Sequence, residues 1–321
     1  MSQALLHPPI PGTGSADPAL SVRNLSVDFR ARRGNTRLAV RQLSFDVAEG
    51  ECLALIGVAG SGKTTTLDAL CGLLPNQARI ASGMAIHGGQ DLLALSPRRI
   101  AALRGTSIAV LRHDVNRLLD PLYQIREHIA EALRQARLPA LAKAPRDWLP
   151  IFYELGFVEP ESVLARRPNE LPTSLLQRTI LAIALLTGAK LILADEPTAG
   201  MDAIAEAQFL HLLDELRRRR NVAIVLGTGS FGVARFLADR VLMLYEGGEV
   251  ESGTTDDLLA TPKSPYTQAL VSCVPKMGEY SSRLGEVRME AVRAAAQQVM
   301  GNIPALSGQQ NPGTQGQGSA A

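Results

Sequence analysis

The sequence predicts an α/β fold built on a strand, glycine-rich loop and helix, and interrupted by a helical block. Three observations predict it. The apolar pentapeptide CLALI (52–56) runs into a glycine-rich turn and then into TTTLDALCGLL, which has helical spacing. Apolar strands return at KLILADEP (190–197) and NVAIVLG (221–227), with a helical stretch at about 203–220 between them. From about 95 to 170, charged and aliphatic residues mix at helical spacing, as in IREHIAEALRQA (125–136). The length of 321 residues suits about two domains, or one large domain with an insertion.

Taken in order, residues 1–18 are rich in Pro, Gly and Ser and read as a disordered leader. LSVRNLSVDF (20–29) alternates apolar and polar residues like a half-buried strand, and LSFDVAEGE (43–51) reads as a second strand ending in a turn. After the helical block, a helix is expected at about 174–188. ADRVLMLYEGGEVESG (238–253) reads as a hairpin, and 283–299 as an amphipathic helix. The low-complexity end reads as disordered. The run Arg217 to Arg220 closes the 203–220 helix, where cations complement the helix dipole, and reads as a solvated end.

Composition excludes several classes. With 33 Lys+Arg against 31 Asp+Glu, the net charge of +2 argues against a strongly basic nucleic-acid binder. Cys52, Cys71 and Cys273 form no CxxC pair, which argues against a disulfide framework or a structural zinc site. The longest apolar stretch, between Arg178 and Lys190, falls short of the roughly 20 residues a bilayer requires. No secretory signal is read at the N-terminus.

The chemistry begins at Gly57-Val58-Ala59-Gly60-Ser61-Gly62-Lys63-Thr64, which fits G-x-x-x-x-G-K-[ST]. Glycines let successive backbone N–H groups curl around a phosphate, and the helix that follows adds its N-terminal dipole. Lys63 brings an ammonium to the outer phosphates, Thr64 a hydroxyl to Mg²⁺, and Thr65 continues the same helical turn. A second site closes the strand LILADEP: Asp195 is placed to hold the Mg²⁺ shell and Glu196 to polarise an attacking water. Trp148 reads as packing; His87, His128 and His211 read as ordinary surface or core histidines.

The run from Asp195-Glu196-Pro197 through Thr198-Ala199-Gly200-Met201-Asp202 resembles the Walker B and D-loop of ATP-binding cassette (ABC) ATPases. SPYTQALVSCVP (264–275) resembles the P-Y-T-x-x-L stretch of the ATPase subunits of peptide and nickel importers. LLDPLYQIREHI (118–129) resembles their segment after the Q-loop. The resemblance implies a P-loop NTPase cassette: a RecA-like core with a β subdomain plus an inserted α-helical subdomain. It places the cassette at 19–255, with the insertion at about 95–172. A peptide-importer-type extension follows at 256–300 and a disordered tail at 301–321. The implied ligands are ATP and Mg²⁺, with Asp202 in the D-loop and Phe29 as the candidate for adenine stacking. The implied partners are two transmembrane permease subunits, a second ABC ATPase subunit and, indirectly, an extracytoplasmic solute-binding protein. No nucleic acid is expected. The implied place is the cytoplasmic face of the inner membrane. Cys-rich segments that hold an iron–sulfur cluster in some members have only Cys273 here, so no cluster is expected.

Three family motifs depart from the pattern. The signature L-S-G-G-Q falls on Leu171-Pro172-Thr173-Ser174, without its Ser and both Gly, while Leu171, Gln177 and Arg178 are kept. The Q-loop glutamine falls on His113, and the switch histidine on Gly229. The resemblance therefore implies a subunit that keeps its phosphate grip and loses accessories of hydrolysis, as the weaker half of an asymmetric pair. The alternatives are a non-catalytic, nucleotide-gated structural subunit and a soluble ABC ATPase outside transport.

Overall fold

The structure is a computed structural model that describes residues 18–30, 36–115 and 118–272. The leader up to residue 17, Cys273, the helix expected at 283–299 and the tail lie outside the described residues. The chain runs β1 (Leu20–Arg30), β2 (Thr36–Val47), β3 (Cys52–Ile56), α1 (Lys63–Cys71), β4 (Ala78–His87), β5 (Gln90–Asp91), α2 (Pro97–Leu103) and β6 (Ile108–Arg112). A helical block follows: α3 (Ile125–Gln135), α4 (Pro139–Ala142), α5 (Leu149–Glu154), α6 (Pro160–Ala165) and α7 (Thr173–Thr187). The chain then returns through β7 (Leu191–Asp195), α8 (Ala203–Arg220), β8 (Ala223–Thr228), α9 (Phe231–Leu237), β9 (Arg240–Tyr245), β10 (Gly248–Thr254), α10 (Thr255–Ala260) and α11 (Pro265–Val271).

Two sheets form. One is antiparallel, in the order β2-β1-β4-β5; the other has the order β10-β9-β3-β8-β7-β6 and is parallel except for β9–β10. The parallel strands are mainly apolar, and β3, β7, β8 and β9 are buried along their whole length, because both of their faces are covered. Alternate residues enter two different cores. Ala54, Ile192, Ile224 and Met243 pack on one side with α7, α8 and α9. Leu53, Leu193, Val225 and Leu242 pack on the other with α1 and the antiparallel sheet. This period of two makes the register of the central strands unambiguous, since a slip of one residue would exchange the two cores.

The helices expected at 174–188 and 203–220 appear at Thr173–Thr187 and Ala203–Arg220, and the hairpin at 238–253 is β9–β10. The helical block differs from expectation. It contains the strand β6, a run of five residues paired residue for residue with β7 from Ile108↔Leu191 to Arg112↔Asp195. Periodicity cannot separate so short an apolar run from a helical turn, and the pairing partner decides it. β4 was likewise unassigned from sequence. β2 starts at Thr36, ahead of the strand read at 43–51.

The arginine run is also corrected. Arg218 and Arg219 make exposed i,i+4 pairs with Asp214 and Glu215, as a solvated end should. Arg217 is buried. It donates to Asp214 (2.9 Å), the Gly50 carbonyl (2.8 Å) and Asp239 (2.8 Å), and Asp239 in turn accepts from Cys52 N–H at 2.8 Å. The network ties α8 to the first residue of β3 and to the approach to β9. Arg217→Met should lower unfolding free energy by about 1–2 kcal/mol, because it removes the buried guanidinium's bonds and leaves the Gly50 carbonyl without its donor while exposed Asp239 stays hydrated; Arg218→Met should stay within about 0.5 kcal/mol. Urea denaturation of the two variants checks the difference.

Candidate functional site

The glycine-rich loop leaves β3 and enters α1 under steric constraints that its glycines meet. A Cβ on Gly57 would overlap the Leu244 carbonyl oxygen of β9 and lie 2.6 Å from Ser61 Oγ. Gly62, the residue before α1, has φ 105°, and a Cβ there would sit 2.7 Å from the Ala39 carbonyl. The loop is thus wedged between β9 and β2, and any side chain at either point would push it out of shape. Within it, Ser61 N–H donates to Val58 O at 3.1 Å, and Gly247 N–H donates to Ser61 O at 3.0 Å.

Lys63 folds back over the loop. Its Nζ donates to Gly57 O at 2.6 Å and to Val58 O at 3.3 Å. Burial holds the lysine below its ordinary range, partly opposed by the carboxylates of Glu196 and Asp195. A group desolvated in this way is poised to exchange carbonyl partners for an anion. Thr64 Oγ1 donates to Asp195 Oδ1 at 3.1 Å, while Asp195 Oδ2 is buried with no partner among the described residues. Asp195 is only 4% exposed, so an unpartnered carboxylate oxygen there is costly. A hydroxyl, a carboxylate and phosphate oxygens form the hard-oxygen set that suits Mg²⁺. Thr64 and Asp195 therefore fit the ion as the residues that would hold it. Thr65 sits half-buried on the same turn.

Glu196 follows β7 in the left-handed region, with φ 45°. Its N–H donates to Gly227 O at 2.8 Å, which turns the carboxylate toward the end of β8. There Gly229 N–H donates to Oε1 at 2.7 Å and Thr228 Oγ1 donates to Oε2 at 3.2 Å. The position assigned to the switch histidine thus meets Glu196 directly, but through a backbone amide. A cleft of about 230 Å³ joins these parts, lined among others by Gly57, Val58, Ala59, Lys63, Glu196 and Gly229.

The other expected residues lie outside that cleft. His113 is exposed, and its N–H donates to Asp195 O at 2.9 Å, so the backbone of the Q-loop position touches the carboxylate strand while its imidazole stands in solvent. Leu171 is buried, Pro172 exposed, and Thr173 and Ser174 half-buried at the start of α7. Pro172 is the residue before that helix and offers no side-chain cap. Asp202 caps α8, its Oδ1 accepting from Ile204 and Ala205 N–H at 3.0 and 2.9 Å. Phe29 is half-buried on β1, opposite Arg37 and Ala78.

Two connections were not anticipated. Gln177, wholly buried on α7, donates to Arg112 O at 2.7 Å and so fixes the strand end that leads to His113. Arg112 also forms an ion pair with Asp68 of α1. Burial raises the Asp68 carboxyl, and Arg112 offsets this in part. Gln177 stood out in the sequence as a retained flank of the damaged signature, but nothing there named its partner.

The ABC transporter family model matches residues 40–199, and the model for the oligopeptide/dipeptide transporter C-terminal region matches 250–299. The dipeptide transport ATP-binding protein of Bacillus subtilis is 33% identical over 262 residues, covering 81% of this chain and 78% of that protein. The oligopeptide transport ATP-binding protein of Salmonella typhimurium is 34% identical over 262 residues, covering 82% and 78%. The peptidoglycan transport ATP-binding protein of Agrobacterium fabrum is 36% identical over 263 residues; the match takes 82% of this chain but 48% of that protein, so the chain spans about half its length. Among solved structures, a dimeric bacterial ABC transporter cassette superposes with a TM-score of 0.62 at 21% identity, over 74% of this chain and 98% of that one. A subunit of an ABC transporter complex from Clostridium perfringens gives 0.63 at 22%, over 77% and 92%. These two support the fold.

The wedge at Gly57 makes a direct prediction. Gly57→Ala should cost about 2 kcal/mol or more, because the neighbour it strikes is a strand carbonyl that cannot rotate away. Thermal melting without nucleotide checks this, and an unchanged melting temperature would contradict the crowding.

Proposed function

Since the chain belongs to the ATP-binding cassette (ABC) transporter family and carries the C-terminal region of its oligopeptide/dipeptide branch, we propose that it is the ATP-binding subunit of a membrane importer of peptides, and the weaker half of an asymmetric ATPase pair. The observation that carries this reading is a contrast within one site. The phosphate loop, Lys63, Thr64, Asp195 and Glu196 are assembled, whereas the switch position is Gly229.

The geometry supports the following roles. The loop's amides and the α1 N-terminus bind the phosphates, and Lys63 neutralises the outer ones. Bound Mg²⁺ supplies Lewis-acid polarisation of the phosphate oxygens. Glu196 orients and polarises the attacking water. Gly229 offers no side chain to the terminal phosphate, and His113 can still hydrogen-bond but is not equivalent to a glutamine in shape or in the placing of its donor and acceptor. At the opposite site of a dimer, Pro172 removes a backbone donor from the signature. Each lost electrostatic contact costs about 10²–10³ in rate. A homodimer would combine both defects in both sites, so a more complete second ATPase is the expected partner. Two permeases would hold the pair at the cytoplasmic face of the membrane, and peptides would reach them from an extracytoplasmic binding protein. The relatives named for dipeptide and oligopeptide transport support the substrate class.

A second reading is favoured by the hold on Glu196: with both oxygens engaged by Thr228 and Gly229, the carboxylate can serve structure alone, and the subunit would gate by binding without hydrolysis. The purified chain should bind Mg·ATP, with Lys63→Ala abolishing binding. Its turnover should lie at least about a hundredfold below that of an ABC ATPase with intact motifs. No binding, or an ordinary turnover, would overturn the proposal. In the assembled transporter, Glu196→Gln lowers substrate-stimulated hydrolysis on the first reading and leaves it unchanged on the second.

A further inference from the structure

We propose that Tyr266 is a positioning residue for the phosphate loop, through which the docking of α11 sets nucleotide affinity. The inference rests on the nucleotide binding proposed above and concerns a residue outside the motifs that form the nucleotide cleft.

Tyr266 is 0% exposed. Its hydroxyl donates to Leu244 O at 3.1 Å and accepts from Val58 N–H at 3.4 Å. Its ring packs on Tyr245 with centroids 5.1 Å apart. The contact to Val58 falls on one particular peptide unit. The Val58 N–H and the Gly57 C=O belong to the same planar group, so fixing one end fixes the other. That C=O is the one that accepts from Lys63 Nζ at 2.6 Å. Tyr266 therefore grips the back of the peptide whose front holds the phosphate-binding lysine. Leu244 closes the arrangement: its carbonyl accepts from Tyr266 and is also the atom that a side chain at Gly57 would strike.

The helix carrying Tyr266 is itself anchored. Both carboxylate oxygens of Glu251 on β10 accept backbone N–H groups at the start of α11, from Lys263 at 2.8 Å and Ser264 at 3.0 Å. Ser264 Oγ caps Tyr266 N–H at 3.2 Å. One turn beyond Tyr266, Leu270 lines the cleft beside Gly57, Val58, Lys63 and Glu196. The C-terminal segment thus reaches the nucleotide site twice, by a buried hydroxyl and by an apolar wall. By reciprocity, anything that stabilises the docked helix tightens nucleotide binding, and nucleotide stabilises the docked helix.

The test uses the full chain and Mg·ATP. Tyr266→Phe keeps the ring on Tyr245 and removes only the hydroxyl. It should raise the Kd for Mg·ATP about two- to tenfold, the range expected for one or two hydrogen bonds, at a temperature where the variant is folded. Phe45→Leu, a change on β2 in the core on the other side of the central sheet from Tyr266, should lower the melting temperature and leave the Kd unchanged. In the wild type, Mg·ATP should slow amide exchange across 265–271. A wild-type Kd in Tyr266→Phe, or exchange at 265–271 indifferent to nucleotide, overturns the proposal. If Tyr266→Phe does not fold, the wild-type exchange measurement decides alone. Failure of the wild type to bind Mg·ATP is a separate result, and it refutes the nucleotide-binding reading itself.

Discussion

The carbonyl oxygen of Leu244 is the constraint on which the site depends. It stands where a side chain at residue 57 would be, and it forces the chain leaving β3 to pass as bare backbone. Close approach of the loop to β9 lets the Gly57–Val58 peptide turn its amide to the buried Tyr266 and its carbonyl to Lys63. The parallel strands hold Leu244 in place because β3 and β9 pair directly, from Leu53↔Arg240 to Ile56↔Met243. The two-sided apolar core fixes that register. Loop geometry is thus inherited from sheet packing, and a loss of register between β3 and β9 would disassemble the phosphate grip.

What was legible in the sequence had short range. The loop, its helix and the Asp195-Glu196 pair could be read because spacing alone dictates their chemistry and the flanking strands are long enough to declare themselves. β6 was not legible, because Ile108–Arg112 becomes a strand only by pairing with β7, some 80 residues away in the chain. Arg217 was read as one of four solvated arginines. Nothing local marks which member of such a run meets Asp239 and the Gly50 carbonyl. Tyr266 showed itself only as part of a family-like stretch; its bond to Val58 spans 208 positions and has no sequence signal.

The pattern of retention and loss also has a physical logic. Phosphate is held mostly by backbone amides and a helix end, which tolerate change at any residue except the few whose conformation or crowding demands glycine. Hydrolysis needs individual side chains at particular atoms, and one substitution can delete each. A subunit can lose the second set while keeping the first, because the two rest on different chemistry. The hold on Glu196 illustrates this: Gly229 still reaches the carboxylate with its amide, as any residue there would, but cannot extend beyond it to a phosphate.

The same distinction bears on the extension. A side chain that acts on the loop from behind does not compete with nucleotide for space, so it can modulate the grip without entering the site. Tyr266 meets this condition. Its hydroxyl lies under the loop, where burial pushes the phenol pKa up and keeps the proton available to Leu244. Its helix hangs from Glu251, on a strand that continues directly from β9 through the hairpin. A mechanical path therefore runs from the C-terminal segment through β10 and β9 to the peptide that presents Lys63. A second path runs directly through the phenol. Two links of independent origin converging on one peptide make that peptide the point where a change in the docking of α11 would register first.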